Sequence, residues 1–570
     1  MKNKHDVKKQ TGAHYTPTEL SDFVAFQIVK NLQKKGGNRI SILDPAIGDG
    51  ELIVSLVREL KQAFPSLKMH VTGFDINNKA LEVAQKRILG INNDLEINLF
   101  HKDFINEVTE KYSEQESLFG DNGKKYDLII SNPPYVRTQV LGAKRSSDLA
   151  KKFSIEGRVD LYHAFIIASG MALKPGGIAG IIVSNRFMTT RSGVLLRTKI
   201  KNMFDILHIW DMGDTQLFEA AVLPAVLLLR RKNISNRPDL VAKLTAIYSC
   251  PDFNQNRKIF ESNNLFDSIE KSGFIKLNKK IFEIKQGTLG HTTNSSEVWR
   301  ISNSNDDNLL SRINKNTYCK FRDLGNIRVG VKTTADKVFI RKDWYNLPNE
   351  KIPELLRPLV THHVANRFKS DRPKTYILYT HEVVNGKRRC INLENFPKAK
   401  RYLEDNKKIL SSRTYIKKSR RNWYEIWVPQ DPERWKYPKI VFRDISEKPV
   451  FWIDLDGMIV NGDCYWLSCE DSSKLDLLWL ALAISNSKFI ELFYDLKFNN
   501  KLYSGRRRFI TQYVNEFPLP NPNLIYAKKL ISLARKAYSK ASDNRRDSIE
   551  SEIDILVAQS FGLTIKEISR

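Results

Sequence analysis

The strongest constraint on the fold of this chain is a rigid turn at Asn132-Pro133-Pro134-Tyr135. It follows Tyr126 to Ser131, a short apolar run that indicates a buried parallel strand. Each proline ring fixes its own φ, and Pro133 also restricts the backbone of Asn132 before it. The chain must therefore leave the strand rigidly and hold a carboxamide and a phenol at the carboxyl end of a sheet. Open α/β sheets bind ligands at that edge.

The side chains of this turn suit the activation of an amino group. A carboxamide oxygen and a nearby backbone carbonyl both accept hydrogen bonds, so together they can hold one NH₂ group. Such a pair polarises a planar amine, and the tyrosine ring offers a face for stacking. The alternative is that the four residues are only a stiff turn, because Asn-Pro and Pro-Pro dipeptides commonly occur in loops.

Three strand ends precede this turn, and each carries an acidic residue. Asp44 opens a glycine-bearing loop between the apolar run Ile40 to Leu43 and a helix-like pattern from Leu52. The order of strand, glycine-bearing loop and helix is typical of a nucleotide cradle. A carboxylate at the start of the loop suits an amine-bearing ligand better than a pyrophosphate. Asp75 and Asp103 follow at the next two strand ends. The Asp75 carboxylate is placed to accept hydrogen bonds from ribose hydroxyls.

Taken singly, each of these acids is explained as a loop or helix-capping residue. Three acids in succession before the Asn132 strand instead indicate one ligand site. In this order the motifs resemble those of the class I S-adenosylmethionine-dependent methyltransferases, specifically the γ-class adenine-N6 DNA methyltransferases of the TaqI type. Three further segments carry the resemblance: Tyr15 to Leu20, Asp160 to Phe165, and Gly213 to Phe218.

The resemblance implies a Rossmann-like α/β domain, S-adenosylmethionine as cofactor and no metal. It implies that Asn132, Pro133 and Tyr135 act on the target amine. It also implies that Tyr135 and Phe218 stack on the target base. For Phe218 a role in the core remains the alternative. An amine buried in a duplex cannot reach such a site, so the base must be flipped. The implied cofactor contacts are Tyr15, Thr16, Asp44, Ala46, Gly48, Asp75, Ile76, Asp103, Phe104, Asn132 and Phe165.

Composition favours a polyanionic partner and disfavours a membrane or secreted protein. The 92 Lys+Arg against 64 Asp+Glu give a formal net charge of +28, as expected for nucleic-acid binding. The five cysteines form neither a C-x-x-C pair nor a zinc pattern and are expected to be free thiols in a reducing cytoplasm. No signal peptide and no apolar span long enough for a membrane is recognisable.

A length of 570 residues predicts more than one domain. We expect a catalytic domain over 1–245, with Val222 to Leu229 as its last sheet strand, and a linker or docking region over 246–300. A basic, β-rich target recognition domain over 301–525 is similar to the C-terminal specificity domain of TaqI-type enzymes. A helical tail over 526–570 is expected to pack on it.

Two groups of cations in the second half are candidates for DNA contacts. Arg420 and Arg421 precede two tryptophans, and Arg506, Arg507 and Arg508 form a cluster. Arginines that bind phosphates would position a duplex, whereas others would read base edges. The alternative is a solvated basic loop, which charge runs usually are.

The sequence predicts a monomeric, site-specific DNA adenine-N6 methyltransferase that protects host DNA from a separately encoded restriction endonuclease. Methyltransferases that act on ribosomal RNA bases, on a glutamine amide in release factors or on cytosine N4 hold an amine in a similar way. A DNA-binding subunit with an inactive first half is disfavoured by the intact acids. Pro251-Asp252 followed by Glu283-Ile284-Lys285 spells a metal-nuclease signature, but no compact apolar sheet is expected around it.

Overall fold

The chain forms two compact units, each with its own core. The first comprises Met1–Ser304 with Lys501–Gly505, and the second Asn305–Asn500 with Arg506–Arg570. The computed structural model describes residues 16–32, 38–91, 95–113, 125–136, 141–153, 160–218, 223–233, 240–250, 253, 257–290, 297–419, 421–498, 502, 505–539 and 546–569.

The first unit is built on one large mixed sheet, in which the described residues form 12 strands. Their order is β3-β2-β1-β4-β5-β7-β6-β8-β11-β10-β9, and β12 pairs with β11. The strands are β1 (Arg39–Asp44), β2 (Lys68–Asp75), β3 (Glu96–His101), β4 (Tyr126–Ser131), β5 (Leu173–Ser184), β6 (Phe204–Asp211), β7 (Pro224–Arg231), β8 (Lys243–Ser249), β9 (Ile259–Glu261), β10 (Gly273–Leu277), β11 (Lys280–Leu289) and β12 (Ile301–Ser302).

Strands β1 to β5 are parallel, so their carboxyl ends lie at one edge of the sheet. In the central strand β1, Leu43 pairs with Thr72 of β2 on one side and with Ile129 of β4 on the other. This register aligns the ends of three strands at which the predicted ligand-site residues Asp44, Asp75 and Asn132 lie.

Helices cover both faces of this sheet, which explains why the central strands are continuously apolar. Ile42 belongs to the core on one face and Leu43 to the core on the other, as the alternation of a strand requires. The fold is therefore a doubly wound α/β fold. The helices are α1 (Thr18–Lys30), α2 (Glu51–Ala63), α3 (Asn78–Leu89), α4 (Phe104–Ser113), α5 (Ala143–Lys152), α6 (Leu161–Ala172), α7 (Val194–Met203) and α8 (Leu265–Ser268), with 3₁₀ turns at Asn185–Met188 and Arg191–Gly193.

Residues 246–300 differ from the linker expected from the sequence, because they continue the large sheet. Strand β8 pairs in parallel with β6, and β11 pairs with β8 along seven residues. Strand β7, expected to be the last, lies inside the sheet between β5 and β6. Of the strands after it, β9, β10 and β12 have only 3, 5 and 2 residues, and the polar sequence between the strands conceals them. The compact unit accordingly extends to Ser304 rather than to residue 245.

The second unit combines several small sheets with helices and is less uniformly β than expected. Its strands are β13 (Cys319–Lys320), β14 (Ile327–Val329), β15 (Ile340–Arg341), β16 (Leu356–Val360), β17 (Tyr376–Leu378), β18 (His381–Val384), β19 (Lys387–Cys390), β20 (Lys439–Arg443), β21 (Ile445–Ser446), β22 (Phe451–Asp454), β23 (Ile459–Val460), β24 (Cys464–Ser468), β25 (Arg507–Arg508) and β26 (Pro518–Leu519). Two sheets have four strands, in the orders β14-β24-β20-β22 and β15-β17-β16-β23.

The helices of the second unit lie mostly before and after these sheets. They are α9 (Ser304–Lys315), α10 (Phe321–Leu324), α11 (Asp336–Phe339), α12 (Pro397–Asp405), α13 (Lys407–Ser412), α14 (Thr414–Lys418), α15 (Leu475–Ser485), α16 (Lys488–Phe498), α17 (Thr511–Val514), α18 (Ile525–Ser539), α19 (Arg546–Ser560) and α20 (Ile565–Ile568). Short 3₁₀ turns occur at Trp344–Asn346, Asn349–Lys351, His362–Val364, Leu393–Asn395, Pro432–Lys436 and Ser472–Lys474.

The C-terminal helices pack within the second unit. Phe561, after α19, stacks on Phe489 of α16 with ring centroids 4.2 Å apart. Asp554 accepts a hydrogen bond from the backbone N–H of Lys488 at 2.8 Å. These contacts make the segment after residue 525 an integral part of this unit.

The five cysteines are free thiols. In the described part of the chain no single helix is long and apolar enough to span a membrane. The bent pair Ser472–Ser485 and Lys488–Phe498 passes that test by length and composition only.

A buried ion pair joins two strands of the second unit. The side chains of Lys439 on β20 and Asp454 on β22 have no exposed area and contact each other. Lys439 Nζ also donates to the Trp435 carbonyl at 2.7 Å, and burial lowers the pKa of Lys439. Asp454 accepts from the backbone N–H groups of Asp456 and Met458, both at 3.0 Å.

We expect Lys439→Met to lower the free energy of unfolding of this unit by about 3–5 kcal/mol, because it leaves the Asp454 carboxylate buried without a counter-ion. Urea unfolding followed by tryptophan fluorescence measures this. The double variant Lys439→Met/Asp454→Asn leaves no buried charge and should be more stable than the single variant. Equal stability of the two would show that the ion pair is not the cause.

Candidate active site

The candidate active site lies at the carboxyl edge of β1 to β4. Immediately after β4, the Asn132 carboxamide is held from two sides. Its Nδ2 donates to Thr16 Oγ1 at 3.0 Å, and its Oδ1 accepts from the Tyr135 hydroxyl at 2.8 Å. Thr16 lies just before α1, so three separate positions of the chain converge on one amide group. The proline-bearing turn thus presents a carboxamide in a defined orientation.

Tyr135 and Phe218, the two rings expected to stack on the target base, lie next to each other. Their ring centroids are 6.3 Å apart and their planes are inclined by 70°. A base between two parallel rings needs about 7 Å, twice the contact distance of carbon atoms. One ring must therefore turn before the two can enclose a base. Burial of the Tyr135 hydroxyl raises its pKa above the ordinary value of a tyrosine, so this hydroxyl stays protonated and can donate.

The loop that carries Phe218 is anchored by a buried polar network that the sequence analysis missed. Asp211 ends β6, and its Oδ1 accepts from Asn185 Nδ2 at 2.9 Å and from the Gly213 N–H at 3.1 Å. Its Oδ2 accepts from the Tyr248 hydroxyl at 2.7 Å. Burial is the main cause of a raised pKa of Asp211. No motif signals this network, because its members come from β6, β8 and the turn after β5.

Two further contacts fix the same loop. Gly213 has a φ of +48°, and a Cβ at this position would lie 2.0 Å from the Ile247 carbonyl oxygen. Only glycine fits this approach of the loop to β8. Asp214 then accepts from the backbone N–H of Ser249 at 2.7 Å. Phe218 itself is 8% exposed and belongs to the apolar core. It therefore packs in the core and also lies beside Tyr135.

Asp44 is fully buried at the end of β1. Its Oδ1 accepts from the Ala46 N–H at 3.0 Å, whereas no hydrogen-bond donor in the described part of the chain reaches its Oδ2. Burial, assisted by the charge of Asp75, raises the pKa of Asp44 to about 8, while the hydrogen bond from the Ala46 N–H opposes the shift. A buried acceptor without a donor suits a cationic or amine-bearing ligand.

Asp75, at the end of β2, connects the glycine-bearing loop to the sheet. One carboxylate oxygen accepts from the Gly48 N–H at 2.9 Å and the other from the Asn77 N–H at 2.8 Å. Each oxygen keeps a second lone pair for a ligand hydroxyl. Gly48 has a φ of +55°, and no atom lies within 4 Å of the position of a Cβ there. The next residue, Ile76, exposes 67% of its surface.

Asp103 lies beyond β3 and already has two partners. Its Oδ1 accepts from the Ile105 N–H at 3.0 Å, and its Oδ2 lies 2.8 Å from Arg145 Nη2 on α5. Arg145 was not among the predicted site residues. The two side chains border a cavity of about 480 Å³ lined by Asp103, Ile105, Asn106, Arg145, Asp148, Leu149, Lys151 and Lys152.

Phe104 and Phe165 stack on each other, with centroids 6.1 Å apart and planes inclined by 27°. This separation is too small for a third ring to lie between them. Phe104 also contacts Phe74 and is only 2% exposed. The two rings therefore form a continuous aromatic support next to Asp103. Tyr15 lies outside the described residues.

The predicted phosphate-binding arginines divide into two groups. Arg507 and Arg508 pair with acids, since the Arg507 guanidinium binds both Asp495 oxygens at 2.8 and 2.9 Å and Arg508 binds Asp444 at 3.0 Å. The Arg507 side chain is only 11% exposed. These two residues therefore stabilise the second unit. Their acidic partners are distant in the sequence, so a run of arginines did not predict these ion pairs. Arg506 and Arg421 are exposed, whereas Arg420 lies outside the described residues.

The structure provides no support for the nuclease signature. Glu283 and Lys285 lie on β11 and pair with each other at 3.3 Å. The expectation that no apolar sheet surrounds them was wrong, since β11 belongs to the large sheet. Pro251 and Asp252 lie outside the described residues. Among the residues described, no cluster of His, Cys, Asp or Glu could hold a metal ion.

Known proteins resemble this chain in both of its units. Residues 69–218 match the family model of the Eco57I restriction-modification methylase, and residues 366–519 match the TaqI-like C-terminal specificity domain. The chain is 40% identical to the type II methyltransferase M.BanIII of Aneurinibacillus aneurinilyticus over 98% of both chains. It is 25% identical to the type II methyltransferase M.BstVI of Geobacillus stearothermophilus, over 98% of this chain and 97% of that one.

Among solved structures, the DrdV–DNA complex has the same fold over 94% of this chain and 58% of its own, with a TM-score of 0.53 and 13% identity. The two matched family models lie in the two compact units, and the relatives match along nearly the whole chain. The chain therefore belongs to the type II methyltransferases of restriction–modification systems.

Proposed function

We propose that this protein transfers the methyl group of S-adenosylmethionine to the exocyclic N6 amine of a flipped adenine in duplex DNA. The observation that carries the proposal is the Asn132 carboxamide, held between Thr16 and Tyr135 at the carboxyl end of β4. Family membership supports methylation of DNA. The chemistry of this turn favours an amine on a planar ring as the acceptor.

The residues around the neighbouring strand ends fit S-adenosylmethionine. Asp44 has a buried oxygen without a donor, which suits the cofactor's ammonium group. Asp75 retains lone pairs for ribose hydroxyls, and the backbone at Gly48 is open to a close approach. Bound there, S-adenosylmethionine supplies an electrophilic methyl group on a sulfonium. Asp103 already forms an ion pair with Arg145, so its contact with the cofactor's adenine must compete with or share that pair.

The residues of the turn orient and polarise the target amine. Asn132 Oδ1 has two lone pairs, so it can accept from the amine while the Tyr135 hydroxyl still donates to it. The Pro133 carbonyl accepts a hydrogen bond from the second N–H of the amine. Tyr135 stacks on the base and stays neutral, so it does not remove a proton at neutral pH. Orientation and desolvation in this site account for most of the rate.

The partner implied by this mechanism is duplex DNA. The net charge of +28 supports binding of a polyanion, and the second unit matches a specificity domain. We further propose that the protein acts as a monomer in the cytoplasm. There it would protect sites that a separately encoded endonuclease cuts.

Transfer of labelled methyl groups to mixed-sequence duplex DNA tests the function, and the product is digested to nucleosides. We expect the label in N6-methyladenine. Ribosomal RNA and a release-factor peptide, offered under the same conditions, should stay unlabelled. Label in N4-methylcytosine, in RNA or in a protein amide would contradict the proposed substrate.

Cofactor binding should depend on the ionisation of Asp44. Its pKa of about 8 means that the free protein carries a protonated carboxyl at neutral pH, whereas a cation binds the carboxylate. Cofactor affinity should therefore increase as pH rises towards about pH 8 and fall again above it, where the cofactor's ammonium group loses its proton. Calorimetry in buffers of different ionisation enthalpy measures the proton released. The cofactor amine titrates in the same range, so Asp44→Asn is the control and should release fewer protons. Equal proton release would contradict this role.

Thr16 should act on the reaction through the orientation of Asn132. Thr16→Val keeps the shape but removes the oxygen that accepts from Asn132 Nδ2, so we expect kcat to fall about five- to tenfold. Thr16→Ser keeps the oxygen and should restore most of kcat. A matched steady-state analysis separates kcat from the KM for cofactor and DNA. If the serine variant is as slow as the valine variant, the hydrogen bond is not the reason.

A further inference from the structure

The second unit carries an exposed hairpin that no predicted site includes. Strands β18 and β19 pair antiparallel and form a two-stranded sheet of their own. The turn between them is Asn385-Gly386, and both residues have positive φ, 51° and 70°. This is the backbone of a tight two-residue hairpin turn, for which Asn-Gly is the preferred sequence. The hairpin is therefore a narrow, well-defined β-ribbon.

The register of the hairpin separates its two faces. His381 opposes Cys390 and Val383 opposes Arg388, so these residues share one face. That face packs on the unit, because His381 is only 8% exposed and Arg388 Nη1 donates to the Gln430 carbonyl at 3.1 Å. The opposite face looks away from this packing surface. It presents Glu382, Val384, Lys387 and Arg389.

A second basic element lies beside the hairpin. The Tyr424 hydroxyl donates to the Ile391 carbonyl at 3.0 Å and thereby joins the segment around Tyr424 to the end of β19. In this segment the Arg421 guanidinium lies 5.6 Å from the centre of the Trp427 ring, which is 42% exposed. The charges of Arg388 and Arg421 both contribute, after burial, to lowering the pKa of His381 to about 3. The two elements thus form one continuous surface.

Most of the positive charge of this surface is not balanced by an ion pair. Arg389 pairs with Glu382 at 3.3 Å, with 59% and 39% of the side chains exposed. Within the described part of the chain, no acidic group forms an ion pair with Lys387, Arg388 or Arg421. This contrasts with Arg507 and Arg508, whose charges are balanced by Asp495 and Asp444. Exposed cations beside an exposed tryptophan suit a polyanion with ring systems.

We propose that the β18–β19 hairpin enters the major groove of duplex DNA and reads base edges with Lys387 and Arg389. The major groove is wide enough for a two-stranded β-ribbon, and arginine binds guanine O6 and N7 with two hydrogen bonds. Glu382 orients the Arg389 guanidinium from the opposite strand. Arg421 and Trp427 contact the sugar–phosphate backbone at the side of the groove. The inference rests on the proposed function, in that it assigns the recognition of the DNA substrate.

The test compares full-length single variants on two readouts. Plasmid DNA is methylated by each variant, and the modified positions are mapped by sequencing. Arg389→Ala should lower the preference for the wild-type site over sites with one base pair changed, by about tenfold or more at one position. Arg421→Ala should leave the preferred site unchanged. It should reduce the slope of log affinity against log salt by about 0.9, measured by anisotropy with a fluorescent duplex.

The matched control is Lys528→Ala, which removes an exposed cation from α18 in the same unit. It should change neither the methylated sites nor the salt slope. The inference is overturned if Lys387→Ala and Arg389→Ala keep the wild-type pattern of sites, or if the control changes it equally. The duplex-binding readout does not require transfer. A wild-type protein that binds DNA through the hairpin without methylating it would therefore contradict the proposed function alone.

Discussion

The rigid exit of the chain from β4 sets the geometry on which the candidate active site depends. Two successive prolines leave the Asn132 side chain little freedom of position, and Thr16 and Tyr135 hold the carboxamide from either side. Every other element of the site is arranged relative to this group. Parallel pairing places Asp44 and Asp75 at the same edge, and the Asp211 network brings the Phe218 loop to Tyr135. A flexible turn would leave the cofactor-binding residues in place, but the carboxamide would no longer orient the target amine.

The acidic strand ends and Asn132 could be predicted because each lies at or just after the end of a short strand, and β1, β2 and β4 are largely buried. Such strands are local features of a sequence, and their carboxyl ends meet wherever they are parallel. The network of Asp211, Asn185 and Tyr248 could not be predicted in this way. Its members meet only because β7 folds back between β5 and β6 and β8 adds beside β6. That strand order carries no local signal.

Charge patterns in the sequence also failed to predict which cations of the second unit form ion pairs. A run of three arginines suggests a phosphate-binding loop, but two of them are balanced by Asp495 and Asp444. Lys387, Arg388 and Arg389 of the β18–β19 hairpin form an equally long run of cations, which was not among the predicted DNA contacts. In the structure they keep most of their charge. Composition therefore predicted the class of partner, whereas the surface proposed to meet it could be identified only from the ion pairs of the structure.

The central claim is that Asn132 acts on the target amine and leaves cofactor binding to the acidic strand ends. Calorimetric titration of Asn132→Ala with S-adenosylmethionine, beside a single-turnover assay on duplex DNA, tests it most directly. We expect cofactor affinity close to that of the unmodified protein and a rate of transfer lower by about a hundredfold or more. Loss of cofactor affinity in parallel with transfer, or transfer at an unchanged rate, would contradict the account.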